Sequence, residues 1–121
     1  MGLPRDCRLT RKHQFDRVLN ARTTQMRSGS FRVYAMANGE PGARLGLIVG
    51  KRQAKRAVDR NRIKRALRES FRSRRSTLPG VDIVVQLMES VVPSELDVDA
   101  QSLWPMLSNE LKKKRDDHAA A

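Results

Sequence analysis

Ala57-Val58-Asp59-Arg60-Asn61-Arg62-Ile63-Lys64-Arg65-Ala66-Leu67-Arg68-Glu69-Ser70-Phe71-Arg72-Ser73 carries an apolar pattern and a charge pattern at once. Projected at ~100° per residue, Ile63, Ala66, Leu67, Ser70 and Phe71 share one side. That is the i, i+3, i+4, i+7, i+8 spacing of a helix packed on a sheet. Asn61, Arg65, Arg68 and Arg72 take the opposite side, with Arg60, Arg62 and Lys64 on the flanks. A greasy stripe for anchoring therefore backs a guanidinium-rich stripe facing out. Arginine suits that outer stripe because its planar fork grips phosphate oxygens with two hydrogen bonds and stacks on exposed bases. Asn61 adds an amide able to read a 2′-hydroxyl or a base edge.

The charge around this segment is lopsided. The chain has a formal net charge of +12, and residues 51–75 alone hold twelve Lys/Arg against two acids. Residues 81–110 hold six acids and no Lys or Arg. A solvated helix face would pair Glu with Lys at i, i+4, but only Asp59 and Glu69 are available to offset the cations. Like charges packed within a Debye length of ~8–10 Å cost stability, so the pattern points to a polyanion partner.

Working outward, the sequence predicts one α+β domain over residues 1–121, with an ordered core of about 8–114 and a frayed tail at 115–121. Thr10 is the expected N-cap of a first helix over about 11–21, with Phe15, Val18 and Leu19 on one face. Met26 to Ser30 reads as loop. Ser30 to Ala37 alternates, Phe31, Val33 and Ala35 opposing Arg32, Tyr34 and Met36, and predicts a strand. Asn38-Gly39-Glu40-Pro41-Gly42 is turn chemistry, so Leu45 to Val49 is expected to pair with that strand as a hairpin. Leu78-Pro79-Gly80 stops the basic helix. Val81 to Met88 is Val/Ile-rich and predicts a central strand. A last helix is expected to begin near 97–102 and reach about Lys114, with Leu103, Leu107 and Leu111 in register and Trp104 in the core. Pro105 either sets its start near Ser102 or bends it. Strands flanking the basic helix argue against a DNA-binding helix-turn-helix, so no DNA is expected.

Residues 57–65, followed by Arg68 and Phe71, resemble the Arg-Asn-Arg signature of the bacterial ribonuclease P protein family. The resemblance extends to Arg8-Leu9 with Phe15, to Phe31-Arg32-Val33-Tyr34 as the family's first strand, and to the strand and basic loop Leu45 to Arg52. It implies an α-β-β-β-α-β-α sandwich like the second domain of ribosomal protein S5, with a left-handed βαβ crossover where general handedness would be right-handed. It also implies a protein subunit whose partners are a catalytic ribonuclease P RNA and precursor tRNA. That RNA, with Mg2+ bound mainly by RNA and substrate, cleaves off the 5′ leader. Lys51, Arg52, Arg60, Asn61, Arg62, Lys64, Arg65, Arg68 and Arg72 would face RNA, and Phe15, Val33 and Tyr34 would line a leader cleft. Since Val33 and Tyr34 are adjacent, alternation puts them on opposite faces, so the sheet twists or one cleft assignment fails. Phe15 and Tyr34 also suit a core. Leu19 stands where the family commonly has a second aromatic, and Gln53-Ala54-Lys55-Arg56 lacks the family's usual loop glycine.

Chemistry carried by the chain itself finds little support. His13 and His118 are the only histidines, Cys7 is the only cysteine, and no nucleophile sits beside a base. Asp97 and Asp99 read as an acidic helix start rather than a metal pair. The expectation is therefore no catalytic or metal-ligating residue in the protein. A lone cysteine, no signal-like run at Met1–Asp6 and only strand-sized apolar stretches predict a cytoplasmic protein with no membrane span. A ribosomal or general RNA-chaperone protein is the competing functional reading.

Overall fold

The computed structural model describes residues 4–120, without the side chains of Arg5 and of residues 114–120. The elements run α1 (Lys12–Ala21), β1 (Thr24–Ser28), β2 (Phe31–Ala37), β3 (Arg44–Ile48), α2 (Ala57–Arg74), β4 (Val81–Leu87) and α3 (Leu96–Ala120). This is the α-β-β-β-α-β-α order. One four-stranded sheet, ordered β1-β2-β4-β3, has α1 on one face and α2 with α3 on the other.

β4 is central, as its unbroken Val81, Ile83, Val84, Val85 run requires: all are buried, Val84 toward α1 and the others toward α2 and α3. The expected hairpin between β2 and β3 does not form. β4 lies between them, antiparallel to β2 and parallel to β3. Parallel neighbours need a long crossover, and α2 supplies it; β3–α2–β4 is the unit to which the expected left-handed sense applies. The 38–42 turn instead locks the entry to β4. Asn38 N–H donates to the Gly80 carbonyl at 3.1 Å, and its side-chain amide donates to Asp82 at 3.0 Å. Arg44 reaches the buried Asp82 carboxylate with two hydrogen bonds of 2.7 and 2.8 Å.

The segment read as loop at 26–30 is mostly strand. β1 pairs antiparallel with β2, so Phe31 opens the second strand rather than the first. Gly29 turns the hairpin at φ +56°, which glycine adopts without strain. The inward residues of β1 are Thr24, Met26 and Ser28, two of them small and polar, so the alternation carries little apolar signal. They are covered by α3, with Ser28 Oγ 3.5 Å from Met106 Sδ.

α1 begins one residue later than expected. Thr10 is not its cap; Gln14 Oε1 reaches back to accept the N–H groups of Thr10 (2.8 Å) and Arg11 (2.9 Å). Just before it, Leu9 N–H bonds the Leu45 carbonyl at 2.9 Å and covers the outer edge of β3. α3 starts at Leu96, ahead of the expected range, through a 3-10 turn at Pro93–Glu95, and Pro105 lies inside it with its ring exposed. Leu96, Ala100, Leu103, Trp104 and Leu107 bury one stripe against α2 and the sheet. The tail expected to fray, 115–121, has its side chains outside the described residues.

α2 is turned as its pattern requires, with Ile63, Leu67, Ser70 and Phe71 buried. Trp104 stacks obliquely on Phe71 at 5.2 Å, and its Nε1–H donates to Ser70 Oγ at 2.8 Å. The serine in the apolar stripe thus satisfies the indole, which a buried tryptophan needs. Leu67→Ala should cost ~2–4 kcal/mol by leaving a cavity, whereas Arg65→Ala should stay within about 0.5 kcal/mol. Urea unfolding of the two variants checks this orientation; the reverse ranking would mean that the helix is rotated.

Candidate RNA interface

The outer face of α2 and the loop before it present Lys51, Arg52, Asn61, Arg62, Arg65 and Arg72 exposed, with Arg60, Lys64 and Arg68 partly buried. Among the described residues none of these cations forms an ion pair. Asp59, the acid closest to them in sequence, is taken by Arg56 through bonds of 2.9 and 3.2 Å. That hydrogen-bonded guanidinium holds the Asp59 carboxyl below its usual range, so it stays ionised and spent on Arg56. The helix therefore displays a field of cations that the chain itself does not neutralise.

Arg60 departs from its neighbours. Its Nη1 donates to the carbonyls of Ala54 (3.0 Å) and Lys55 (2.8 Å). The loop that lacks the usual glycine is thus shaped by three ties: Ala54 N–H to Gly50 O at 3.1 Å, Ser90 Oγ–H to Gln53 O at 3.2 Å, and the Arg60 staple. Ala54 itself is buried in the main core.

On the α1 face, Leu9, Val18, Tyr34 and Val84 form a second apolar cluster, flanked by Phe15, Leu19, Met36 and Ile48. Phe15 lies so close over Gly46 that a Cβ there would come within 2.6 Å of its ring. Phe15 and Tyr34 are therefore brought to one face. Val33 is not: it is wholly buried in the main core, since alternation along β2 points it toward α2 and α3. Its placement in a cleft with Tyr34 is corrected. Tyr34 is also less open than expected, at 7% exposure, with its hydroxyl donating to Gln86 Oε1 at 3.1 Å. The Arg22 guanidinium sits 5.2 Å from the centre of its ring. Arg22 went unnoticed in the sequence because it follows α1 and meets Tyr34 only through the fold.

Among the described residues no three of His, Cys, Asp and Glu come together as a metal site. No helix among them is long and apolar enough to cross a membrane.

Arg60→Ala should lower stability by about 1–2 kcal/mol, because two carbonyls lose a charged donor, and should speed amide exchange in residues 51–56. Arg62→Ala should leave both unchanged. Exchange mass spectrometry on the two variants checks the difference, and equal behaviour would remove the staple.

Residues 3–114 match the family model described as Ribonuclease P. The chain is 47% identical over 90 residues to the ribonuclease P protein component of Ralstonia pickettii, covering 72% of this chain and 64% of that one. It is 39% identical over 110 residues to that of Thioalkalivibrio sulfidiphilus, covering 88% and 91%. The solved RNase P protein of Staphylococcus aureus superposes with a TM-score of 0.70 at 27% identity, over 89% of this chain and 94% of the other. A match along nearly the whole chain, in sequence and in fold, places this protein in the ribonuclease P protein family.

Proposed function

We propose that this chain is the protein subunit of ribonuclease P, the endoribonuclease that removes the 5′ leader from precursor tRNA, acting in the cytoplasm. The observation that carries the reading is the unneutralised cation face of α2, anchored from behind by Ile63, Leu67 and Phe71. A catalytic RNA subunit supplies the counter-charge and performs the cleavage, with Mg2+ held mainly by RNA and substrate. The protein's own residues bind and orient. Lys51, Arg52, Asn61, Arg62, Lys64, Arg65, Arg68 and Arg72 contact the RNA subunit, and Arg60 sets the loop that presents Lys51 and Arg52. Phe15 and Tyr34 flank the route of the single-stranded leader on the α1 face, where unstacked bases gain ~1–3 kcal/mol each from an aromatic platform. The mature tRNA body offers no such bases, since its helices are already stacked.

Reconstitution tests the reading. With a ribonuclease P RNA and magnesium, the protein should raise precursor-tRNA cleavage at physiological salt, while RNA-free protein should cleave nothing. A general RNA chaperone would bind both RNAs and leave the cleavage rate unchanged. Arg65→Ala should weaken binding to the RNA subunit and flatten its salt dependence by about one unit of slope, if the rule for duplex DNA carries over.

Phe15→Leu keeps an apolar side chain over Gly46 but removes the ring. In the reconstituted enzyme it should weaken affinity for precursor tRNA about fivefold or more and leave affinity for mature tRNA unchanged. Equal losses for both would place the leader elsewhere.

A further inference from the structure

Where the segment before α1 crosses β3 and meets α2, the structure holds a pocket of about 250 Å³. Its apolar floor is Leu45 and Leu47. Arg8, Lys64 and Arg68 converge on it, Thr10 stands at its edge, and Phe15 forms one wall. No carboxylate lines it, and among the described residues none of the three cations has an acidic partner. The Arg8 Nε–H is wholly buried and has no acceptor, alone in this among the described buried side-chain nitrogens and oxygens. Three cations held around one space, one with a buried donor unanswered, is an arrangement completed by an oxyanion.

The position of the pocket narrows the choice of anion. Lys64 and Arg68 belong to the cation face of α2, whereas Phe15 belongs to the cluster under α1. A ligand here touches both surfaces at once, with charge on one side and a ring on the other. A nucleotide has that division: a phosphodiester and a flat base on one linkage. We propose that Arg8, Lys64 and Arg68 hold a single backbone phosphate of RNA, with the attached nucleotide against Phe15. Arg8 thereby joins the RNA-binding residues, and the pocket couples the α1 face to α2. The proposal rests on the RNA-binding reading of α2 and adds to it a shared ligand for three particular side chains.

A double-mutant cycle in the reconstituted enzyme tests it. Arg8→Gln and Arg68→Gln should each weaken binding about tenfold, as expected for a lost charged hydrogen bond. If both grip one phosphate, the double variant should lose little more than either single one. Arg62→Gln, on α2 but outside the pocket, should multiply with Arg8→Gln. Arg8→Lys keeps the charge without Nε and should recover only part of the affinity. The backbone bond from Leu9 to Leu45 does not depend on the Arg8 side chain, and unchanged thermal unfolding of each variant confirms that the fold is intact. Measuring the RNA subunit alone, and then holoenzyme with precursor or mature tRNA, identifies the source of the phosphate. Loss with the RNA subunit alone assigns it there, and loss confined to leader-bearing substrate assigns it to the leader. Full multiplication of Arg8→Gln with Arg68→Gln, or no effect of Arg8→Gln on any RNA, overturns the shared pocket. No effect of Arg62→Gln and Arg68→Gln would instead overturn the RNA-binding reading of α2.

Discussion

Burial of Ile63, Leu67 and Phe71 fixes the angle at which α2 sits, and that angle decides where the cations go. The three side chains are at most 6% exposed and pack with Trp104 of α3 and the inner faces of β2, β3 and β4. A rotation of one residue would carry an arginine toward this core, where an unpaired charge costs several kcal/mol. The same contact that anchors the helix therefore holds Arg62, Arg65 and Arg72 in solvent despite their mutual repulsion. Ser70 shows how closely the stripe is matched to its surroundings: the one polar residue in it accepts the indole N–H of Trp104.

Charge is partitioned along the chain as well as around the helix. The acids of residues 81–110 lie in β4, the segment after it and α3, while the surplus of cations lies in the loop and helix of residues 51–75. Few of these opposite charges meet. Arg27 bonds Glu89 at 2.9 Å on the surface, and Asp82 is committed to Arg44 and Asn38 inside. A polyanion approaching such a molecule is drawn to one side of it, so the charge pattern orients the encounter before any specific contact forms.

Much of this was legible in the residues because the strongest patterns were also the decisive ones. The stripe of α2, the alternation of β2 and the unbroken apolar run of β4 each had a single good solution. What failed was information that the chain does not hold locally. β1 was invisible because Thr24 and Ser28 face inward under α3, and polar inward residues leave no hydrophobic alternation. β3 was assigned to the wrong neighbour because its partner arrives 33 residues later, after α2. Pro105 pushed the expected start of α3 too far along, although an exposed ring is tolerated inside that helix. At the candidate site, the cations of α2 were read directly, but Arg8, Arg22 and the staple of Arg60 depend on which loops meet which elements. Val33 was misplaced by resemblance against the alternation that the strand itself displayed.

The central claim is that the outer face of α2 lies against RNA while α3 does not. Site-directed hydroxyl-radical cleavage measures this directly, because Cys7 is buried and the chain has no other cysteine. An iron chelate tethered through Arg65→Cys on α2 should cut the ribonuclease P RNA in the assembled holoenzyme at a few defined positions. The same chelate tethered through Gln101→Cys, exposed on α3, should cut little or not at all. Strong cleavage from residue 101 with none from residue 65 would contradict the placement of RNA on α2.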